Sequence, residues 1–220
     1  MPRLELKTVD EFEARRVSWL WPSWLPLGKH VLLDGDPGMG KSLLCLDLAA
    51  RVSTGSTMPD GSQVARRPVA ILSAEDDTAD TILPRLAAAG ADLSAVTIIG
   101  PVLNGRARLP QLPEDEDLVL TSLGPRKPGL VIIDPIVAFV SSAYNTGSDH
   151  DMRQVFYTVA KIATQLDACI IALRHLNKGM LDVMVRDKGP LTVLPEIGIL
   201  LAFAVVLGAV AARLFRWDEI

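Results

Sequence analysis

The chain has 220 residues, 49% hydrophobic and 22% charged, with a formal net charge of −4. That is enough apolar sequence for one full core and too much for a disordered chain. The acidic balance excludes a wholly basic nucleic-acid binder, though not a local basic patch; two cysteines in apolar runs, Cys45 and Cys169, exclude a disulfide scaffold and read as reduced core thiols.

Residues 1–29 read as an N-terminal arm. The first part, MPRLELKTVDEFEARRV, is charged and lacks an apolar h-region, so no secretory signal is expected and a cytoplasmic location is. The next stretch, WLWPSWLPLGKH, holds Trp19, Trp21 and Trp24, with Pro22 and Pro26 breaking any long helix. It is expected to pack on the domain as an apolar arm, the alternatives being an adenine platform or a subunit contact.

From His30 onward short β-rich runs alternate with helical stretches. HVLLDG, PVAILSAE, AVTIIG, LVIIDP and CIIALRH read as strands. Lys41–Val52, Thr78–Ala89, roughly Glu114–Leu123, and Asp149–Leu166 read as helices. The pattern predicts an α/β fold over residues 30–180, a mostly parallel sheet with helices on both faces. The Pro- and Arg-rich stretch Asn104–Glu116 is expected to be a surface loop.

The strongest chemical signal follows the first of these strands. Gly35, Asp36, Pro37, Gly38, Met39, Gly40, Lys41 and Ser42 match G-x-x-x-x-G-K-[ST], with Leu43 continuing into the helix. Glycines let consecutive backbone N–H groups converge on phosphate oxygens, and the helix N-terminus adds partial positive charge. Lys41 is expected to reach the β- and γ-phosphates of ATP and to face solvent without ligand; the Ser42 hydroxyl is expected to ligate Mg²⁺.

Three further strand ends carry polar groups. Leu130–Ile133 ends in Asp134, a carboxylate at the C-terminal edge where ligands bind in open α/β sheets, suited to holding Mg²⁺ through water. Ser73–Asp77 follows another strand; Glu75 is expected to orient or deprotonate the attacking water and Asp77 to cap the next helix. His175 and Asn177 follow CIIALR, where they would sense a γ-phosphate; the alternative for His175 is a structural role. His30 and His150 have no partners at metal-ligand spacing, so no zinc site is expected.

After Gly179 the alternation stops. Residues 181–193 read as a linker and 194–214 as a hydrophobic helix. Pro195 to Leu214 would span ~30 Å as a helix, about one hydrocarbon thickness. Ala204, Gly208 and Ala212 form a small-xxx-small face. Both a transmembrane span, with membrane association of the chain, and a buried C-terminal helix remain open.

WLWPSWLPLGKHVLLDGDPGMGKSLLCLDLAARVSTG, LSAEDD with TILPRLAAAGAD, VIIDPIVAF and LRHLNKG together resemble the RecA-like P-loop ATPases of the RepA type, AAA family ATPases of plasmid and phage replication genes. The resemblance covers roughly Trp19 to Gly179. It implies ATP and Mg²⁺ as cofactors, Lys41 and Ser42 on the phosphates and metal, Asp134 on magnesium, Glu75 as the catalytic carboxylate, and His175 coupling nucleotide state to nucleic acid. It also implies single-stranded DNA as a partner and a homo-oligomeric ring.

The family's Gly/Ser-rich segment, whose arginine completes a neighbour's site, is not visible after Gly179. The tail instead resembles the last span of an exporter permease, as in a fusion or frameshift product. The expected function is an ATP-binding, ATP-hydrolysing motor domain of DNA replication or recombination, with hydrolysis expected to be slow and weakly stimulated by DNA because that arginine segment is not visible. The alternatives are a membrane-tethered nucleotide-binding module with little turnover, and a non-enzymatic regulator that oligomerises through its P-loop domain.

Overall fold

The computed structural model describes residues 6–104 and 106–175. The linker, the hydrophobic helix expected over 194–214, Asn177 and the rest of the HLNK segment lie outside the described residues. Among the described residues no helix is long and apolar enough to cross a membrane.

Fourteen residues, Lys41–Thr54, form α1, and this helix follows β3 (His30–Gly35). Before them β1 (Trp19–Trp21) and β2 (Leu25–Pro26) pair as a short antiparallel hairpin. β4 (Val69–Ser73) leads through a π-helical turn, Thr78–Ile82, into α2 (Leu83–Ala88) and then β5 (Val96–Ile98). A second hairpin, β6 (Val102–Asn104) and β7 (Arg106–Arg108), precedes α3 (Glu116–Leu123). β8 (Leu130–Asp134), α4 (Asp149–Leu166) and β9 (Cys169–His175) complete the described chain.

Five strands form one parallel sheet in the order β3-β9-β8-β4-β5. The central strands β4, β8 and β9 are nearly continuous apolar runs because both of their faces are covered, whereas the outer strands β3 and β5 are half-buried. The alternation of side chains sorts these runs into two cores. Val69, Ile71, Leu130, Ile132, Cys169, Ile171 and Leu173 pack with Cys45, Leu46, Ala49 and Val52 of α1 and with Leu86 of α2. Ala70, Leu72, Val131, Ile133, Ile170 and Ala172 pack with Leu123 of α3 and with Val155, Val159, Ile162 and Leu166 of α4. On α4 those four recur at steps of four, three and four, the apolar stripe of a helix lying on a sheet.

Three expectations change in detail. The helix expected over Thr78–Ala89 is two pieces. Pro84 has no N–H for the turn before it and its ring crowds the carbonyl four residues back, so the α-helical ladder starts again at Leu83 with the proline in its first turn. The loop expected over Asn104–Glu116 instead begins within the β6–β7 hairpin and buries Leu112, which bridges to Val140. The tryptophan-rich arm is the β1–β2 hairpin, whose Leu20 and Leu25 enter the core beside Met58 and Val64.

That hairpin sits at the foot of α1. The Trp21 indole donates to Asp60 at 2.9 Å, beyond the helix C-cap Gly55, and the Gly28 N–H donates to the Ala168 carbonyl before β9. A helix of this length puts ~20 Å between its two ends, and the glycine-rich loop lies at the other one. That distance argues against an adenine platform for the nucleotide of the same chain. Packing on the domain accounts for Leu20 and Leu25, while Trp19 and Trp24 stay exposed, as the subunit-contact alternative would have them.

Candidate functional site

The parallel strands β3, β9, β8 and β4 finish close to one level at the C-terminal edge of the sheet. In register Gly35 lies opposite His175, and Asp134 opposite Ser73. β9 separates the strand that leads into the glycine-rich loop from the strand that carries Asp134. Every site residue expected from the sequence within the described chain lies at this edge or in the loops leaving it.

The loop Gly35–Gly40 turns directly into α1. Gly38 and Gly40 have φ of +80° and +79°, and a Cβ built on either meets nothing within 4 Å. Backbone conformation, not crowding, requires glycine here, and the open space leaves a ligand free to approach the main chain. Gly40 is the N-cap of α1, and the Leu44 N–H donates to its carbonyl. Gly38, Gly40, Lys41, Ser42, Leu43, Asp76 and Arg85 line a cleft of about 310 Å³ at this helix start.

Lys41 departs from expectation. Its side chain is not solvent-facing: the residue is 8% exposed, and Nζ donates to the carbonyls of Gly35 at 2.7 Å and Asp36 at 2.8 Å. The curled loop presents main-chain oxygens to the ammonium, which satisfies a charge that burial would otherwise penalise.

Beneath the cleft, a small cavity is lined by Ser42, Ser73, Asp76 and Asp134, walled by Cys45, Leu46, Ile71, Ile82 and Ile132. Asp134 is 7% exposed. The polar lining is two hydroxyls and two carboxylates. Such an all-oxygen donor set fits a hard divalent cation such as Mg²⁺, with room left for phosphate oxygens and water in the adjoining cleft. Burial, with Asp134 adding to it, pushes the Cys45 thiol up to about 12, so this neighbour stays protonated and packs as an apolar group.

The acidic segment after β4 divides its tasks. The Asp77 carboxylate accepts from the N–H groups of Ala79 and Asp80 at 2.7 and 3.2 Å, the capping expected of it. Asp76 lines both cavities, and its Oδ2 accepts from Arg85 Nη1 at 3.0 Å. Glu75 is exposed at the strand end and is not among the residues lining either cavity. At the end of β9, Arg174 grips Asp34 with two parallel bonds, Nε to Oδ1 at 2.8 Å and Nη2 to Oδ2 at 2.9 Å.

Sequence reasoning missed Arg85, Asp76 and the Arg174–Asp34 pair. One signal was available for the first: Arg85 is the only basic residue between Asp77 and Gly90. The pairing of Arg174 with Asp34, 140 positions apart, follows from strand order and had no local signal. An open cleft at a helix N-terminus, a lysine tucked against the loop and an oxygen-lined cavity next to it are the features that a nucleoside-triphosphate site requires. A family model described as an AAA domain matches residues 2–180, and the chain accordingly belongs to that family of ATP-binding ATPase domains.

Proposed function

We propose that this chain is an ATP-hydrolysing RecA-like motor domain of the RepA type, working on single-stranded DNA in replication or recombination. The observation that carries it is the cavity shared by Ser42 and Asp134 beneath the glycine-rich loop, with β9 inserted between their two strands. That strand brings His175 into register with Gly35, so a residue on β9 is well placed to feel the nucleotide and pass its state onward.

In this scheme the backbone from Gly35 to Ser42, with Leu43 behind it, cradles the phosphates. Lys41 leaves the Gly35 and Asp36 carbonyls for the β- and γ-phosphate oxygens. Ser42 and Asp134 would hold magnesium, which would supply charge neutralisation on the phosphates. Glu75 orients water for attack and takes its proton. His175 is the sensor. Assembly into a ring and contact with single-stranded DNA belong to the same proposal.

ATP turnover by the full chain with and without single-stranded DNA tests it. DNA-stimulated hydrolysis that disappears in Lys41→Ala is expected; hydrolysis indifferent to DNA refutes the motor role. The exposure of Glu75 favours a second reading, a nucleotide-binding module with slow turnover. Measurable nucleotide affinity with undetectable hydrolysis, with or without DNA, would select it.

A further inference from the structure

Arg85 has no role in the scheme above, yet it lines the phosphate cleft together with Gly38, Gly40, Lys41 and Ser42. Its side chain is 45% exposed, and its partner Asp76 is 32% exposed. An ion pair this open to water contributes little to stability, so a better anion can take the guanidinium at small cost. Asp76 is also the carboxylate common to the cleft and to the oxygen-lined cavity of Ser42 and Asp134. Each partner of the pair therefore faces a competitor: a terminal phosphate for Arg85, a divalent cation for Asp76.

Resting on the nucleotide-site reading above, we infer that Arg85 is a γ-phosphate-binding residue supplied from within the same chain, held off by Asp76 until nucleotide and metal arrive together. Asp76 swings toward the metal, directly or through its water, and Arg85 is released to the phosphate. Arginine suits this exchange because its planar fork of donors fits phosphate as well as carboxylate. A γ-phosphate arginine supplied in cis is an established chemical solution for phosphoryl transfer. The exchange also makes the cleft discriminate: a diphosphate leaves Arg85 on Asp76, and a triphosphate draws it away.

Calorimetric titration of the full chain with a non-hydrolysable ATP analogue, and separately with ADP, tests this by binding alone. Arg85→Gln is expected to weaken the analogue by about tenfold or more, as loss of one charge-assisted hydrogen bond does, while ADP stays within about twofold. Arg85→Lys is expected to keep part of the preference for the triphosphate. Asp76→Asn, titrated in EDTA so that metal ligation plays no part, is expected to tighten the analogue severalfold by freeing the arginine.

Equal loss of both nucleotides in Arg85→Gln, or no loss of either, overturns the inference while leaving the phosphate site intact. An unchanged analogue affinity in Asp76→Asn overturns the exchange. A wild-type chain that binds neither nucleotide overturns the nucleotide-site assignment and this inference with it.

Discussion

Lys41→Ala is expected to do two separable things, because the lysine bonds to its own loop as well as facing the phosphate cleft. Its Nζ donates to the carbonyls of Gly35 and Asp36 at 2.7 and 2.8 Å, and the residue is buried. Hydrogen bonds from a charged donor contribute roughly 1.5–3 kcal/mol each at most. Asp36 is exposed and the cleft is open, so carbonyls released by the truncation regain water. The pair together is then worth about 2 kcal/mol. At roughly 2–4 °C per kcal/mol for a domain of this size, the melting temperature should fall by about 4–8 °C.

The second effect appears only with ligand. Nucleotide at about a hundred times its dissociation constant stabilises a wild-type domain by about 2.7 kcal/mol, a rise of about 5–11 °C. The variant should show none of that rise. Fluorescence-monitored melting of both proteins, with and without a magnesium-loaded ATP analogue, reads the two effects in one experiment. A variant that melts at the wild-type temperature when empty would refute the contribution of the lysine–carbonyl bonds. A variant with the full ligand-induced rise would refute the phosphate-cradle role of Lys41.

Glu75→Gln should keep magnesium-nucleotide affinity within about twofold and lose at least about a hundredfold in turnover, the usual worth of a general base; a wild-type rate in a single-turnover assay would return Glu75 to a surface role. Asp134→Asn and Ser42→Ala should each reduce the magnesium dependence of nucleotide binding, seen as similar calorimetric affinities with metal and with EDTA. Gly40→Ala should cost about 1–2 kcal/mol of stability and weaken phosphate binding, since the left-handed backbone there is strained for any residue with a Cβ. The Arg108 guanidinium bonded to Asp115, with the Gln111 N–H behind it, holds that carboxyl below the usual carboxylate range. Its contribution is therefore full above the ordinary carboxylate pKa of about 3.9 and fades as pH falls through the lowered one. Asp115→Asn should destabilise the domain at pH 7 and converge with wild type as pH falls through the lowered carboxyl pKa, by urea melts across the acid range.

The central strands β4, β8 and β9 were legible because they are buried on both faces and stand out as apolar runs, and the outer strands β3 and β5, only half-buried, because each still ends at a turn. The two hairpins were not. β1 and β2 are three and two residues long with Pro22 between them, and β6 and β7 are three residues each, so neither pair is long enough to carry the periodicity that reveals a strand. The glycine-rich loop and Asp134 were readable because the chemistry of each is local to a few residues. Asp76 with Arg85, and Asp34 with Arg174, depend on how a turn folds back or on which strands become neighbours. Lys41 was misjudged for a related reason: that its own loop supplies the carbonyls that bury it is a property of the folded turn, not of the residue list.

The position of β9 has a consequence for how the molecule comes into being. Among the described residues β3 has one sheet neighbour, β9, and the two are about 140 positions apart in the chain. Of the five strands, the one that anchors the phosphate loop is made first, and the one that holds it in the sheet is made last. Closing so large a loop carries an entropic cost that only the final pairing repays, which makes the step late and slow. Until Cys169–His175 arrive, β3 is an unpaired apolar strand that invites association with other chains. A nascent chain that stops short of β9 would carry every residue of the phosphate loop and still have no sheet to hold it.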